Sequence, residues 1–592
     1  MKFSKVVLAA FLGTLIALLI NFFVKVGFVA ALVSSSSNTE EITKLKPNSV
    51  LYMKLNYEIP DRTVDNPFTG IDFNTMESVE SSGLNEILRN IENAKTDPNI
   101  KGIYLELSSI PTSTATLQEL RSKLAEFKES GKFIVCYGET YSQSAYYVAS
   151  IADKICLNPE GMIDLHGMAS QITFYKNLLD KLDIEMQIVR GPNNRFKSAV
   201  EPYFLDKMSE ANREQMEKLL GTLWGEILQG ISESRGISVE KLNEIADKLE
   251  LLTDAKTALN YGLVDQLYYK DQMLAELKSL TGNTDKINAI GNANYAKSYR
   301  IKKSSKNEVA VIYATGQIYD GKGDEEQNIY SENLSKTIRK AREDKNVKAI
   351  VLRVNSPGGS AVASAIIGRE LDLTKAEKPV VVSMGNYAAS GGYWISAKAD
   401  YIFADPTTLT GSIGVFGTFP NMQGFLNDKI GLTFDVAKTN ENADFGTVTQ
   451  PLTEFQYAKL QQNVVKTYDD FTKRVAEGRG LRQTYVDSIG QGRVWAGADA
   501  IEIGLVDQLG DLEDAIAFAA EKAGLGDDYK LTEMPGQKDF FTRIIESMNP
   551  TDELDAAMRQ KLGVYYEYLQ GLENLQKNTG IQARMPFDMV IE

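Results

Sequence analysis

Short apolar runs rich in β-branched residues alternate with segments of helical period along most of this chain. From Glu308 onward, EVAVIYATG, AIVLRVNS, PVVVSMG and YIFADP are each bounded by Gly, Pro, Asn or Asp, the pattern of buried strands. Helical spacing between them predicts helices over 333–343, 360–374 and 390–398. Nearer the start, residues 116–129 have an amphipathic helical pattern that Gly131 closes as a left-handed stop. Long helical patterns occupy 209–234 and 454–477. Strands that recur with helices between them predict right-handed βαβ crossovers and a mostly parallel sheet, an α/β fold.

The pattern repeats. NIKGIYLELSS at Asn99 recurs as NVKAIVLRVNS at Asn346, 247 residues on. KFIVCYGETYSQSAYYVASIADKICL from Lys132 recurs as KPVVVSMGNYAASGGYWISAKADYIF from Lys378, with Gly138 and Gly385, and Asp153 and Asp400, again 247 apart. YGLVDQL at Tyr261 returns as IGLVDQL at Ile503 after 242 residues. A chain of 592 residues, long enough for roughly four ordinary domains, therefore reads as a tandem duplication. The predicted organisation is an N-terminal anchor over 1–33, a linker over 34–47, a first repeat over 48–296, a linker over 297–307, a second repeat over 308–540 and a helical C-terminal extension over 541–592.

The anchor is the one stretch that departs from a soluble pattern. Lys2 and Lys5 precede an apolar run from Val6 to Val24 broken only by Asn21, and Lys25 leads into a second run from Val26 to Val33. At about 1.5 Å per residue the first run reaches roughly 28 Å, close to the ~30 Å hydrocarbon core of a bilayer. It is longer than the apolar part of a cleaved signal peptide. The leading lysines favour a cytoplasmic N-terminus, with the rest of the chain on the far side of the membrane.

Composition narrows the chemistry. With 43% hydrophobic and 24% charged residues the chain is neither disordered nor polytopic. A net charge of −15 disfavours nucleic acid as a partner. One histidine, His166, and two cysteines, Cys136 and Cys156, leave too few ligands for a zinc cluster and no disulfide framework, so no metal or cofactor is expected. Both cysteines lie in strand-like apolar runs and are expected as buried thiols. His166 falls opposite Ile413 in the duplication and is expected at an apolar or partly satisfied packing position.

Two glycine clusters stand at strand-to-helix transitions: Pro357-Gly358-Gly359-Ser360, and Ser390-Gly391-Gly392. Bare backbone N–H groups in such turns can face a developing anion. Taken singly, each is also an ordinary tight turn, and a serine at a helix start is commonly an N-cap. A nucleophilic serine needs a base, and a lysine serves where burial makes its amine neutral. Lys197, in RGPNNRFKSAVEPY, has few acids nearby, but composition alone reads it as a surface lysine.

Together the N-terminal anchor, both repeats, RFKSAVEPY, RVNSPGGSA, YAASGGYWISA, GSIGVFG and GRVWAGADAIEIGLVDQLG resemble the signal peptide peptidase A (protease IV) family in its long, duplicated, membrane-anchored form. The resemblance covers nearly the whole chain. It implies a Clp protease/crotonase-like superhelix of βαβ units and a Ser/Lys dyad, with Ser390 as nucleophile and Lys197 as general base. It further implies a homotetramer on the periplasmic side of the inner membrane that degrades cleaved signal peptides and other hydrophobic peptides. Within that frame the turn geometry makes Gly359 and Gly391 the expected oxyanion donors, and Ser412, in TGSIG, reads either as the residue that orients the lysine or as an ordinary turn serine. The duplication bears on this. Gln143 stands where the second repeat has Ser390, IPTS replaces PGGS, and the counterpart of the Lys197 segment reads DVAKTNENADFG, with Lys438 nearby. Each repeat thus holds half a site, and the two must face each other. An acyl-CoA hydratase or isomerase of the same fold accounts for the glycine turns but not for the anchor or Lys197; a non-catalytic membrane scaffold accounts for the anchor but not for Ser390 and Lys197.

Overall fold

The computed structural model describes residues 45–64, 71–72, 77–78, 82–298, 304–536 and 580–585. The predicted anchor over 1–33 and most of the helical extension lie outside the described residues, and among those described no helix is long and apolar enough to cross a membrane. Each half of the chain builds a parallel sheet with one strand order. In the first, the order is Gln266–Leu267, Lys154–Leu157, Phe133–Gly138, Ile100–Glu106, Ser49–Met53, Asn288–Gly291. In the second it is Gln508–Leu509, Tyr401–Ala404, Val380–Ala389, Val347–Ser356, Glu308–Thr315, Lys530–Met534. There Leu409–Gly411, with Val494–Ala496 antiparallel beside it, also pairs with the far end of Val380–Ala389, as additional strands that the first sheet lacks among the described residues. Such strands are covered on both faces, which is why FIVCYG and VVVSMG read as unbroken apolar runs rather than as alternations.

The duplication extends to individual hydrogen bonds. The Asp153 carboxylate accepts from the Ile134 N–H at 2.8 Å and that of Asp400 from the Val380 N–H at 2.9 Å. The Tyr146 hydroxyl donates to the Leu263 carbonyl at 2.7 Å, and that of Tyr393 to the Leu505 carbonyl at 2.8 Å. The long helices Glu210–Arg235 and Glu454–Arg479 are N-capped by Ser209 and Thr453 and stopped by left-handed Gly236 and Gly480. The predicted helices appear as Thr114–Lys128, Ser331–Glu343, Ala361–Lys375 and Gly391–Ser396.

A third sheet joins the repeats. The strand Glu185–Arg190 of the first repeat pairs antiparallel with Phe416–Asn421 of the second. Beside it, the helix Thr114–Lys128 docks on the second sheet, where the Thr116 N–H donates to Asn386 at 3.1 Å and the Thr407 N–H to Gln118 at 3.0 Å. Beneath this contact lies Arg353, fully buried in the strand Val347–Ser356. Its guanidinium donates to Asp61 at 2.9 Å and to Glu119 at 2.5 Å, both from the first repeat, and to Ser383 at 2.9 Å. Asp61 also accepts from Asn355 at 2.7 Å. Burial pushes the Glu119 carboxyl up, and Arg353 pulls against that shift.

Removing the cation strands two buried carboxylates, a loss of about 3–5 kcal/mol for a broken buried pair. Arg353→Met is expected to lower the unfolding free energy by that amount in urea titration. Combining it with Asp61→Asn and Glu119→Gln is expected to recover most of the loss, because the two carboxylates that the guanidinium bonds are then neutral.

Candidate functional site

Ser390 stands one residue beyond the strand Val380–Ala389, at the carboxyl edge of the second sheet, and opens the helix Gly391–Ser396. Its backbone has φ 54° and ψ −112°, a conformation costing a non-glycine residue on the order of 1–3 kcal/mol. The turn is held by the Ser390 N–H donating to the Gly411 carbonyl and the Trp394 N–H donating to the Ser390 carbonyl, both at 2.8 Å. The two glycines that follow are steric requirements. A Cβ on Gly391 would stand 2.6 Å from Ser364 Oγ, and one on Gly392 2.6 Å from the Ser356 carbonyl oxygen. The side chain of Ser390 makes no N-cap bond, so the hydroxyl is free for another partner.

That partner is Lys197. Its amine lies 2.9 Å from Ser390 Oγ, 2.9 Å from Ser412 Oγ and 3.1 Å from the Ser412 carbonyl oxygen, and the whole residue has 0% exposure. Burial alone pushes the amine well below the ordinary lysine range. Ser412 presents both of its oxygens from a positive-φ backbone, at φ 48°. The lysine stem crosses two glycines. A Cβ on Gly414 would come within 3.1 Å of Lys197 Cδ, and one on Gly492, where φ is +86°, within 2.5 Å of Lys197 Cβ.

The loop carrying Lys197 is fastened to the start of the helix Glu210–Arg235. Gln215 donates to the Phe196 carbonyl at 3.1 Å and to Ser198 Oγ at 3.0 Å, while its own oxygen accepts from the Val494 N–H at 3.3 Å. Glu201 accepts from the Ser209 hydroxyl at 2.6 Å and from Asn212 at 3.0 Å. Gln215, Gly414 and Gly492 are absent from the sequence-based site. Gln215 carries one signal, a polar residue at an apolar helical position beside Met216 and Leu219.

Gly359 lies in the short strand Gly358–Ser360, opposite Ile318 in the adjoining strand, and Gly391 supplies the first N–H of the helix after Ser390. Lys438 ends in an ion pair with Asp444. Cys136 and Cys156 are buried free thiols, each pushed up to about 12 by burial. His166 departs from expectation. It is not a packing residue, because its side chain is 42% exposed and its Nδ1 lies 2.7 Å from Asp164. The reason is Gln143, whose side-chain oxygen accepts from the backbone N–H groups of His166 and Gly167 and ties that loop outward.

Fold and site together define an α/β protein in which a dry lysine amine from one repeat meets a serine on a strained strand-to-helix turn of the other. Residues 126–283 and 372–526 match Peptidase family S49. Protease 4 of Salmonella typhi is 41% identical over 458 residues, 76% of this chain and 73% of that protein. The chloroplastic serine protease SPPA of Arabidopsis thaliana is 30% identical over 562 residues, 92% of this chain and 78% of that one. A protein of Enterococcus faecium named as a signal peptide peptidase, SppA, is 35% identical over 267 residues, 44% of this chain and 75% of its own length. The chain belongs to peptidase family S49, and it is a serine peptidase acting on peptides.

Because the lysine stem rests on Gly492, a methyl group there displaces the amine. A shift on the order of 1 Å costs about 10²-fold in rate. Gly492→Ala is expected to lower kcat for a fluorogenic peptide by that factor while far-UV circular dichroism stays unchanged.

Proposed function

We propose that Ser390 is the nucleophile and Lys197 the general base of a Ser/Lys dyad. The observation behind it is the 2.9 Å approach of a fully buried amine to a serine hydroxyl on a strained turn. A neutral amine has two N–H groups and one lone pair. Directed at the two oxygens of Ser412, the N–H groups leave the lone pair for the Ser390 hydroxyl proton. Ser412 therefore orients the base.

Ser390 Oγ attacks the scissile carbonyl as Lys197 takes its proton. The tetrahedral oxyanion is received by the backbone N–H groups of Gly359 and Gly391, each such donor contributing about 10²- to 10³-fold in rate. The lysine ammonium then gives its proton to the leaving amine, and water, deprotonated by the same amine, releases the acyl group from Ser390. Histidine takes no part.

The apolar stretch from Val6 to Val24 anchors the chain in the inner membrane with both repeats on the periplasmic side. Signal peptides left in that membrane, and hydrophobic peptides like them, are the substrates, in keeping with the name of the Enterococcus faecium relative. Four chains assemble the working enzyme on Clp-type superhelical repeats. Light scattering on the detergent-extracted protein reads the assembly, and protease added from the cytoplasmic side alone is expected to leave both repeats intact.

The dyad has two measurable signatures. Ser390→Ala and Lys197→Met are each expected to lower kcat for signal-peptide hydrolysis by about 10³-fold or more; unchanged cleavage in both rules the dyad out. The second signature is in stability. The amine titrates lower in the folded chain than the ~10.4 of an exposed lysine. Between those two values the unfolded chain binds the extra proton, so stability rises with pH across that window and is lost as pH falls through it. Lys197→Met removes this penalty. Its Tm is expected to exceed that of the parent chain at pH 7, and the gap to close as pH approaches 10.

A further inference from the structure

The long helix Glu454–Arg479 touches both halves of the dyad along one face, where successive side chains stand three, four or seven residues apart. Near its start it holds the strand that leads to the lysine. The Tyr457 hydroxyl donates to the Ile188 carbonyl at 3.0 Å, and the Gln461 amide donates to the Arg190 carbonyl at 3.1 Å. Near its end it holds the helix that Ser390 opens. The Phe471 ring packs on that of Trp394, with centroids 4.7 Å apart, and Arg474 donates to the Trp394 carbonyl at 2.9 Å. Tyr468 lies between these two grips on the same face.

The Tyr468 hydroxyl is used in both directions. It donates to the Asp487 carboxylate at 2.7 Å and accepts from the Gln491 N–H at 3.2 Å. Each partner in turn bonds the loop that carries the lysine. The same Asp487 oxygen accepts from the Asn193 side chain at 3.0 Å, and the Gln491 carbonyl accepts from the Phe196 N–H at 3.0 Å. These bonds hold the loop at two places just ahead of Lys197. Gln491 stands at φ 51°, a left-handed backbone that a residue other than glycine keeps only when its surroundings over-determine it. The next residue is Gly492, the floor under the lysine stem, and its N–H donates to the Ile413 carbonyl at 2.8 Å, beside Ser412. Burial, reinforced by the bond to Asp487, pushes the Tyr468 phenol up, so it remains a donor near neutrality. A phenylalanine would fill the same apolar contacts, so it is the hydroxyl that the loop uses.

We propose that Tyr468 is a positioning residue of the dyad: through Asp487 and Gln491 its hydroxyl fixes the loop that carries Lys197 and the turn beneath the lysine stem, and so sets where the amine stands relative to Ser390. The proposal rests on the Ser/Lys reading above. Tyr468 touches no reacting atom. Its effect is geometric, since a base displaced on the order of 1 Å loses about 10²-fold in rate and a loop slackened at one of several bonds loses part of that. The helix that grips the serine's own helix thereby also holds the lysine's loop, and one rigid element references both groups.

Tyr468→Phe keeps the ring and its packing and removes only the hydroxyl. In the full chain, kcat for a fluorogenic peptide is expected to fall about tenfold with KM unchanged, the mark of an interaction used in the chemical step. The acid limb of kcat against pH is expected to move to higher pH, because an amine that water reaches holds its proton more tightly than a dry one. Asp487→Ala is expected to reproduce both changes, and Asp487→Asn, which keeps an acceptor oxygen, to recover most of the loss. Joining Tyr468→Phe to Asp487→Ala is expected to cost little beyond either alone, since both cut one network. A reading that needs no catalysis is trace acetylation of Lys197 by acetic anhydride, followed by mass spectrometry. It is expected to rise severalfold in Tyr468→Phe as local opening exposes the amine. If acetylation rises while Ser390→Ala and Lys197→Met cleave like the parent chain, the dyad falls and the placement of the amine by Tyr468 stands. Unchanged acetylation, kcat and acid limb in Tyr468→Phe overturn the inference. So does a lowered Tm without those changes, which is the behaviour of a hydroxyl that only stabilises the fold.

Discussion

An amine buried with no carboxylate beside it is tolerated only in its neutral form, and that condition governs how the two repeats meet. The backbone of Lys197 belongs to the first repeat, whereas both serines at its amine and both glycines beneath its stem belong to the second. Neither repeat alone excludes water from the amine. The low basicity of Lys197 is therefore a property of the docked pair, in which every tenfold loss of proton affinity represents about 1.4 kcal/mol of differential solvation. The docking contacts are directional. A buried Arg353 shared with Asp61 and Glu119 contributes little net stability in the correct arrangement, but any other arrangement leaves one of the three charged and unpaired. Such a cluster selects a register more than it adds strength, and register is what a 2.9 Å contact between separate repeats requires.

The duplication separates what the fold needs from what the chemistry needs. Bonds that pin a strand start or a helix to its sheet survive in both copies, as Asp153 with Asp400 and Tyr146 with Tyr393 show. The strained turn survives in one. In the first repeat Ser142, with φ −68°, is an ordinary N-cap accepting from the Ala145 N–H, and Gln143 settles its side chain on two backbone donors. In the second, Ser390 is held at φ 54° with no cap bond. A conformation costing on the order of 1–3 kcal/mol relaxes where nothing uses it.

The parallel sheets were legible in the sequence because a strand covered on both faces must be apolar at every position, and the repeat spacing marked the same strands twice; their order came from the structure. The long helices were legible to within a few residues, since the periodic spans 209–234 and 454–477 form Glu210–Arg235 and Glu454–Arg479. Ser390 was half legible, since its two glycines mark a crowded turn but not what crowds it. Lys197 came from family resemblance alone. Nothing within ten residues signals burial, because Gly414 and Gly492, which bury it, are more than two hundred residues away. Arg353 was hidden for the same reason, a charged residue in an apolar strand whose counter-charges lie in the other repeat. His166 was misread because its alignment with buried Ile413 carried no information about Gln143 drawing the loop outward.

Open parallel sheets bind ligands beyond the carboxyl ends of their strands, where helix N-termini and loop backbone are exposed together. Duplication supplies two such edges, and here they have diverged into complementary halves. The edge of the second sheet ends in Ser390 and its glycines, while the first repeat contributes the strand Glu185–Arg190 and the loop that follows it to Lys197. Because that strand pairs directly with Phe416–Asn421, the segment leading to Lys197 is hydrogen-bonded to the segment leading away from Ser412. A displacement of the first repeat would therefore move Lys197 and the strand after Ser412 together, and the contact between those two residues would change less than the distance between the repeats. In the dyad proposed above, the placement of the base thus depends on one ladder of backbone hydrogen bonds between the repeats, which no single-copy sheet could provide from its own edge.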